Sequence, residues 1–385
     1  MFLGGLQLYD LVIIGGGVWG TAAALAAVEA RHGSVLLLEA NPYVAGESSA
    51  KAGGIVTDLV WNAEDLSWVT RSRELFAAAQ RWSEDNSMIR HYGMLTLFSQ
   101  SQAELVQRRA DGLLDKGIPA ELWDLNQIVR TYPELDRVAD GVRGLWTPND
   151  WYVNPTAYAT ATLSAAVAKG LSVKLSYRVK SIQVEDSKVL IEGPGETLVA
   201  AKVLVAAGTW TRKLVQTAGL DIPLRPYRVQ LASLNFPVGH HLPILWELVS
   251  DMYIVPDGEH NLLAGDGTQL WEHNPDDYQT TGDDAFKLSI AQGVIGLSSR
   301  AEQAGLRSSW AGLCGGTPDR RPLLGAVTDR LYVACGDEGF GVMRGPAIGE
   351  LAARLVAEDA AVPHLNPNRH PSTDFTIRPG FTLEE

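Results

Sequence analysis

Gly15, Gly17 and Gly20 stand in a G-x-G-x-x-G, Gly15-Gly16-Gly17-Val18-Trp19-Gly20, and Glu39 follows 24 residues after Gly15. In this spacing each residue has its own physical task. Gly15 permits a tight turn, Gly17 lets the backbone approach a pyrophosphate, and Gly20 lets a helix lie close to a strand. Val18 and Trp19 open that helix, whose unpaired N–H groups favour an anion. Glu39, followed by Ala40, offers a carboxylate to ribose hydroxyls. The chemistry these residues suit is dinucleotide binding. The competing reading is a coincidental glycine-rich turn, and the ordered sequence of strand, helix, strand and acid outweighs it.

Three further stretches have small residues where backbone could approach a flat ligand. The segment 41–56 holds Gly46, Ser48, Ser49, Gly53 and Gly54, and reads as a loop over a cofactor in preference to a merely flexible one. Ala206-Ala207-Gly208-Thr209-Trp210 ends a buried strand and suggests a second close approach. Gly336 to Gly345 is a glycine-rich turn that includes Gly339, Phe340, Gly341, Val342 and Met343. The two cysteines, Cys314 and Cys335, have no metal-like spacing, and no metal is expected.

The elements that must position these residues are legible in outline. Leu11–Ile14 and Ser34–Leu38 read as buried parallel strands flanking the helix Thr21–Ala30. Helices are expected over Ser67–Trp82, Gln102–Lys116, Asn126–Tyr132, Pro155–Ala168 and Phe286–Ala304. Short strands are expected over His91–Phe98, Val179–Val184, Lys188–Ile191, Glu196–Val199, Lys202–Val205, Leu224–Phe236, Met252–Gly265 and Leu331–Cys335. Ser308–Leu324 reads as a turn system, Trp271–Asp284 as a polar loop, and Pro346–Val356 as a helix with proline at its start. Both ends of the chain thus supply a strand, a glycine-rich turn and a helix to one nucleotide domain, and the middle supplies another.

Length and charge narrow the class. A chain of 385 residues exceeds one ordinary core and predicts two domains. Its net charge of −13 argues against nucleic acid or an anionic membrane as the main partner. No apolar run reaches membrane-spanning length, and the N-terminus lacks a basic n-region, so a cytoplasmic protein is expected. The oligomeric state is not readable.

Gly15-x-Gly17-x-x-Gly20 with Glu39, Ala207-Gly208-Thr209-Trp210, Trp310-Ala311-Gly312 with Thr317-Pro318-Asp319 and Gly325, and Cys335-Gly336 through Gly341 into Gly349-Glu350 occur in one order along the chain. Together they resemble the FAD-dependent D-amino-acid oxidase superfamily, on the branch of sarcosine oxidase, glycine oxidase and the dye-linked proline dehydrogenases. The resemblance implies an α/β fold (α+β overall), with a Rossmann-like FAD-binding domain and a second mixed-sheet substrate domain. The FAD domain would comprise 1–82, 143–222 and 308–364, the substrate domain 83–142 and 223–307, and 365–385 a tail. It implies FAD held by Gly15, Gly17, Val18, Trp19, Gly20, Glu39, Ala40, Ser48, Ser49, Lys51, Ala207, Gly208, Trp210, Gly312, Gly339, Phe340, Gly341, Val342 and Met343.

The departures from that pattern are informative. The cysteine that carries a covalent flavin in monomeric sarcosine oxidases falls on Gly312, so FAD is expected to bind non-covalently. An active-site tyrosine falls on Cys314, a carboxylate-binding lysine on Met343, an oxygen-activating lysine near Leu263 and a pocket histidine near Gly267. The resemblance leaves Arg320, Arg344, Arg321 and Lys51 as candidate anchors for a substrate carboxylate, with Arg320 and Arg344 first, and places Tyr253 on the substrate side. The implied activity is oxidation of the C–N bond of a secondary amino acid, with oxygen or another electron acceptor. The wider, less polar pocket would suit a bulky or cyclic N-substituted substrate. A dye- or quinone-linked dehydrogenase, an NAD-dependent dehydrogenase and an FAD-binding subunit of a complex are the competing readings.

Overall fold

A computed structural model describes residues 2–3, 6–60, 62–83, 85–236, 242–370 and 375. The expectations for the first residues and for most of the tail therefore fall outside the described residues. The first apolar run forms a strand, Leu6–Ile14, which leads into the helix Val18–Glu29 and the returning strand Val35–Leu38. Leu11, Val12, Ile13 and Leu36 to Leu38 are at most 1% exposed, as a strand covered on both faces requires.

Parallel pairing builds the sheet outward as Ser172–Lys174, Val35–Leu38, Leu6–Ile14, Leu198–Val205 and Leu331–Cys335. Leu198–Val205 is one strand where two were expected, because Ala200 and Lys202 both continue the ladder to the first strand. Its upstream half also pairs with Val189–Glu192, which forms a hairpin with Ser181–Val184.

The C-terminal helix begins at Gly341 and runs to Glu358, so Pro346 lies inside it and does not start it. Glycine is a weak helix former, which makes the segment read as a turn. Burial of Val342, Met343 and Ala347 against the first helix overrides that preference. The two helices touch through missing side chains. A Cβ on Gly345 would lie 2.6 Å from Trp19 Cδ1, and one on Gly349 would lie 2.4 Å from the Trp19 carbonyl oxygen.

The second sheet has, among the described residues, nine strands centred on Arg225–Asn235. One edge of that strand pairs with Leu270–Trp271 and Asn261–Gly265, and the latter continues through Met252–Pro256, Ile244–Glu247, Met94–Phe98, Arg143–Thr147 and Glu121–Trp123. Its other edge carries the long strand Gly305–Gly316 in antiparallel register, with Val229 opposite Gly312 and Tyr227 opposite Cys314. This corrects the expected turn system over Ser308–Leu324 in its first half, since the turn is confined to 317–322 before the strand Leu323–Ala326. The glycines of that stretch mark close approach within a strand, not a reversal. A Cβ on Gly312 would lie 3.1 Å from Lys51 Cβ, and one on Gly315 would lie 3.3 Å from Asp337 Oδ1. Among the described residues no helix is long and apolar enough to cross a membrane.

Candidate active site

A cavity of about 510 Å³ opens where the ends of the parallel strands meet the second sheet. Its first wall is the strand-to-helix turn, with Gly15, Gly17, Val18 and Trp19 on the surface. Gly15 has φ +112°, and a Cβ there would lie 2.4 Å from the Ala206 carbonyl, so the two strand ends exclude a side chain. The helix that follows has no side-chain cap at Gly17 and no acid in its first turn. The Val18 N–H donates to Ser49 Oγ at 3.3 Å, and the helix still presents its positive end to an anion. Gly20 is not on the wall. A Cβ there would sit 1.9 Å from the Gly15 carbonyl, so it serves helix packing.

Glu39 is 8% exposed, and its two carboxylate oxygens accept the Gly16 and Asn41 N–H groups at 2.7 Å each. These bonds fix the carboxylate beside the glycine turn and leave further lone pairs for hydroxyl donors. Ala40, Ser48, Ser49, Ala207, Gly208 and Trp210 are also on the wall.

The C-terminal helix contributes a second N-terminus, again without a side-chain cap or an acid in the first turn. Gly339, Gly341 and Val342 line the cavity there. Phe340 and Met343 do not. Met343 is 4% exposed within the core, and Phe340 packs its ring over the Arg344 guanidinium, 5.4 Å away.

The remaining wall joins Lys51, Gly53, Val229, Leu231, Tyr253, Gly312 and Cys314. Strand Gly305–Gly316 holds the loop that carries Lys51: Trp310 Nε1 donates to the Lys51 carbonyl at 3.0 Å, and Ser48 Oγ donates to the Leu313 carbonyl at 2.7 Å. Burial by itself lowers the Lys51 pKa. Hydrogen bonds to the Tyr278 hydroxyl and the Glu47 carboxylate outweigh it, so the ammonium titrates above its ordinary value and stays charged. Burial pushes the Tyr253 hydroxyl and the Cys314 thiol well above their usual ranges, so both are protonated near neutral pH.

The other candidate cations lie elsewhere. Arg344 is 1% exposed and pairs with Asp65 of the helix Ala63–Trp82, while its second nitrogen donates to the Asp337 carbonyl at 2.9 Å. Its guanidinium ties two helices together behind the cavity. Arg320 is off the wall, in a left-handed conformation with φ +58°, near Glu338. Arg321 pairs with Glu64 at 3.4 Å. Of the positions expected to widen the pocket, Cys314 lines it, whereas Gly267 and Met343 do not, and Leu263, at the place of the oxygen-activating lysine, is also off the wall.

Sequence reasoning missed several wall residues and neighbours. Asp337 lies in the glycine-rich turn already expected there, and its Oδ1 accepts the Gly315 N–H at 2.7 Å. Val229 and Leu231 could have been found from the alternation of their strand. Asp276 and Tyr278 sit in an irregular acidic loop with no periodicity to signal them.

Over residues 10–355 the chain matches the FAD dependent oxidoreductase family. It is 27% identical over 369 residues to glycine oxidase of Geobacillus kaustophilus (strain HTA426), covering 90% of this chain and 93% of that protein. The crystal structure of glycine oxidase from Geobacillus kaustophilus matches with a TM-score of 0.83 at 21% identity, over 95% of this chain and 100% of that one. L-proline dehydrogenase from P. horikoshii matches with a TM-score of 0.84 at 21% identity, over 94% of this chain and 98% of that one.

The walls fit FAD on their own chemistry. Two helix N-termini without an acid in the first turn suit a pyrophosphate and a negatively charged ring edge, Glu39 suits ribose hydroxyls, and the excluded Cβ atoms leave room for close backbone approach.

Proposed function

The chain belongs to the family of FAD-dependent oxidoreductases that includes amino-acid oxidases, and we propose that it oxidises the C–N bond of a secondary amino acid larger than sarcosine, with oxygen as electron acceptor. Bound FAD supplies the two-electron acceptor for that oxidation. The chain supplies position, desolvation and charge. The observation that carries this reading is that Lys51, held charged by Glu47 and Tyr278, shares one stretch of the cavity wall with the apolar side chains of Val229 and Leu231 and the small side chain of Cys314. A cation beside an apolar surface suits a carboxylate attached to a bulky amine.

The protonated Tyr253 hydroxyl can donate a hydrogen bond there but cannot accept a proton as a base. The reading therefore has the substrate bound with its amine neutral, and the imine product released to hydrolyse in water. Val229 and Leu231 exclude water from one side of the substrate, and the ammonium fixes its orientation.

A second reading is a dehydrogenase that passes electrons to a dye or quinone. Leu263, at the position resembling an oxygen-activating lysine, is 9% exposed in an apolar cluster and carries no charge. The two readings separate in air. The FAD-loaded protein is incubated with sarcosine, glycine, proline and pipecolate, and hydrogen peroxide is measured beside reduction of an artificial dye. Peroxide at a rate matching substrate loss supports the oxidase. Dye reduction without peroxide supports the dehydrogenase.

A further inference from the structure

Lys51 Nζ donates to Glu47 Oε2 at 3.0 Å and to the Tyr278 hydroxyl at 2.8 Å. An ammonium has three N–H donors, so one remains. Tyr278 accepts with its oxygen and keeps its own O–H as a donor. One carboxylate placed against this pair would receive hydrogen bonds from both side chains. Glu47 already presents such a carboxylate, from four residues before Lys51, with its side chain 40% exposed and that of Lys51 23% exposed. An ion pair this open to water is weak and easily exchanged.

Tyr278 is held in place from the second sheet. It belongs to the loop between Trp271 and the helix Asp284–Leu297. At one end of the loop, Arg228 Nε donates to Glu272 Oε1 at 3.1 Å, and the Glu272 N–H donates to the Pro226 carbonyl at 3.0 Å. At the other end, the Asp283 N–H donates to Gln230 Oε1 at 2.8 Å. Between them the Thr280 carbonyl accepts the Ala311 N–H at 2.8 Å. Arg228 and Gln230 alternate with Val229 and Leu231, so one strand aims its apolar residues into the cavity and fastens the loop with its polar ones.

We propose that Lys51 and Tyr278 form the subsite for the substrate carboxylate, and that Glu47 occupies Lys51 as an internal stand-in until the substrate displaces it. The substrate assignment rests on the amino-acid reading above, whereas the subsite itself is testable without turnover. Glu47 then acts as a built-in competitor, which sets a threshold on carboxylate binding.

The test titrates the FAD-loaded protein with cyclopentanecarboxylate, which cannot be oxidised at a C–N bond, by calorimetry and by perturbation of the flavin absorbance. Lys51→Met weakens binding by at least about thirtyfold, the cost expected for a charged hydrogen-bonded contact. Lys51→Arg retains part of the affinity, which separates loss of charge from loss of fold. Tyr278→Phe weakens binding by roughly three- to tenfold, as for one neutral hydrogen bond. Glu47→Gln tightens it by about threefold or more, because the competing charge is gone. In steady state, Glu47→Gln lowers the ratio of the KM for pipecolate to that for piperidine.

Absent binding by the native holoenzyme, or binding indifferent to Lys51→Met, overturns the subsite. Weaker binding by Glu47→Gln overturns the competitor role and makes Glu47 a support for Lys51. Binding that depends on Lys51, with no amino acid reducing the flavin, leaves the subsite standing and removes the amino-acid reading.

Discussion

The Trp19 indole N–H donates to the Gly341 carbonyl at 2.7 Å, across 322 positions of sequence. This bond joins the first turns of the two helices whose N-termini line the cavity. Gly345 and Gly349 follow on the same face of the C-terminal helix and let it rest directly on Trp19, Ala22 and Ala23. The two ends of the chain therefore build one anion-binding surface only if these glycines stay bare.

Gly349→Ala tests that dependence. The added methyl meets helix backbone at 2.4 Å, where no flexible side chain can yield. Overpacking of this kind costs roughly 1–3 kcal/mol. Thermal unfolding should occur at lower temperature, and FAD affinity, measured by titrating apoprotein, should fall with it. Native stability and native FAD affinity together would show that the helices can part without disturbing the site.

Much of this surface is legible in the sequence because each residue of the first turn has a single local job. Gly15, Gly17 and Glu39 act within one strand-helix-strand unit, so spacing is enough to place them. Spacing fails where the partner is remote. Arg344 follows a turn beside the cavity and reads as an anchor, yet Asp65, 279 positions away, takes its guanidinium out of play. Gly312 and Gly315 read as turn residues because glycine ordinarily marks turns. Their actual reason is the approach of Lys51 and Asp337 to a strand, which no local pattern reveals. Tyr278 has no periodic signal and gains its place only through the bonds that fasten its loop.

Glu39→Ala should weaken FAD binding by about tenfold or more, since hydrogen bonds to a charged group are worth roughly 1.5–3 kcal/mol. The Gly16 and Asn41 N–H groups lose their acceptor in the same variant, so apoprotein stability should fall as well. Fluorescence titration of apoprotein with FAD reads the first effect. An unchanged dissociation constant would remove Glu39 from the ribose site.

Glu338 gives stability a pH dependence of definite sign. Burial raises its carboxyl from 4.5 to about 7, despite the opposing charge of Arg320 and its hydrogen bonds from Thr317. The folded protein thus holds a proton that the unfolded chain releases near its ordinary pKa. The resulting stabilisation is present below about pH 4.5 and is lost as pH rises through about 7. A gap of this size corresponds to about 3 kcal/mol at most. Glu338→Gln keeps an oxygen for Thr317 and cannot ionise, so its melting temperature should fall less between pH 6 and 8 than that of the native protein. Parallel curves would contradict the assignment.

FAD should leave the protein completely on acid precipitation. Gly312 offers no nucleophile, and Cys314, which does line the cavity, is kept as a thiol by burial and by the neighbouring Asp337. A thiol is a poor nucleophile compared with its thiolate. Yellow colour remaining in the pellet would mean that Cys314 or another side chain has bonded to the flavin.

The most direct measurement is anaerobic stopped-flow reduction of the bound flavin by sarcosine, proline and pipecolate. A cyclic amine buries more apolar area against Val229 and Leu231 than an N-methyl group does, and each added methylene contributes roughly 1–3 kcal/mol of discrimination. The second-order rate constant for proline or pipecolate should therefore exceed that for sarcosine by at least about tenfold. Reduction fastest with sarcosine, or by no member of the panel, would contradict a cavity that oxidises bulky secondary amino acids.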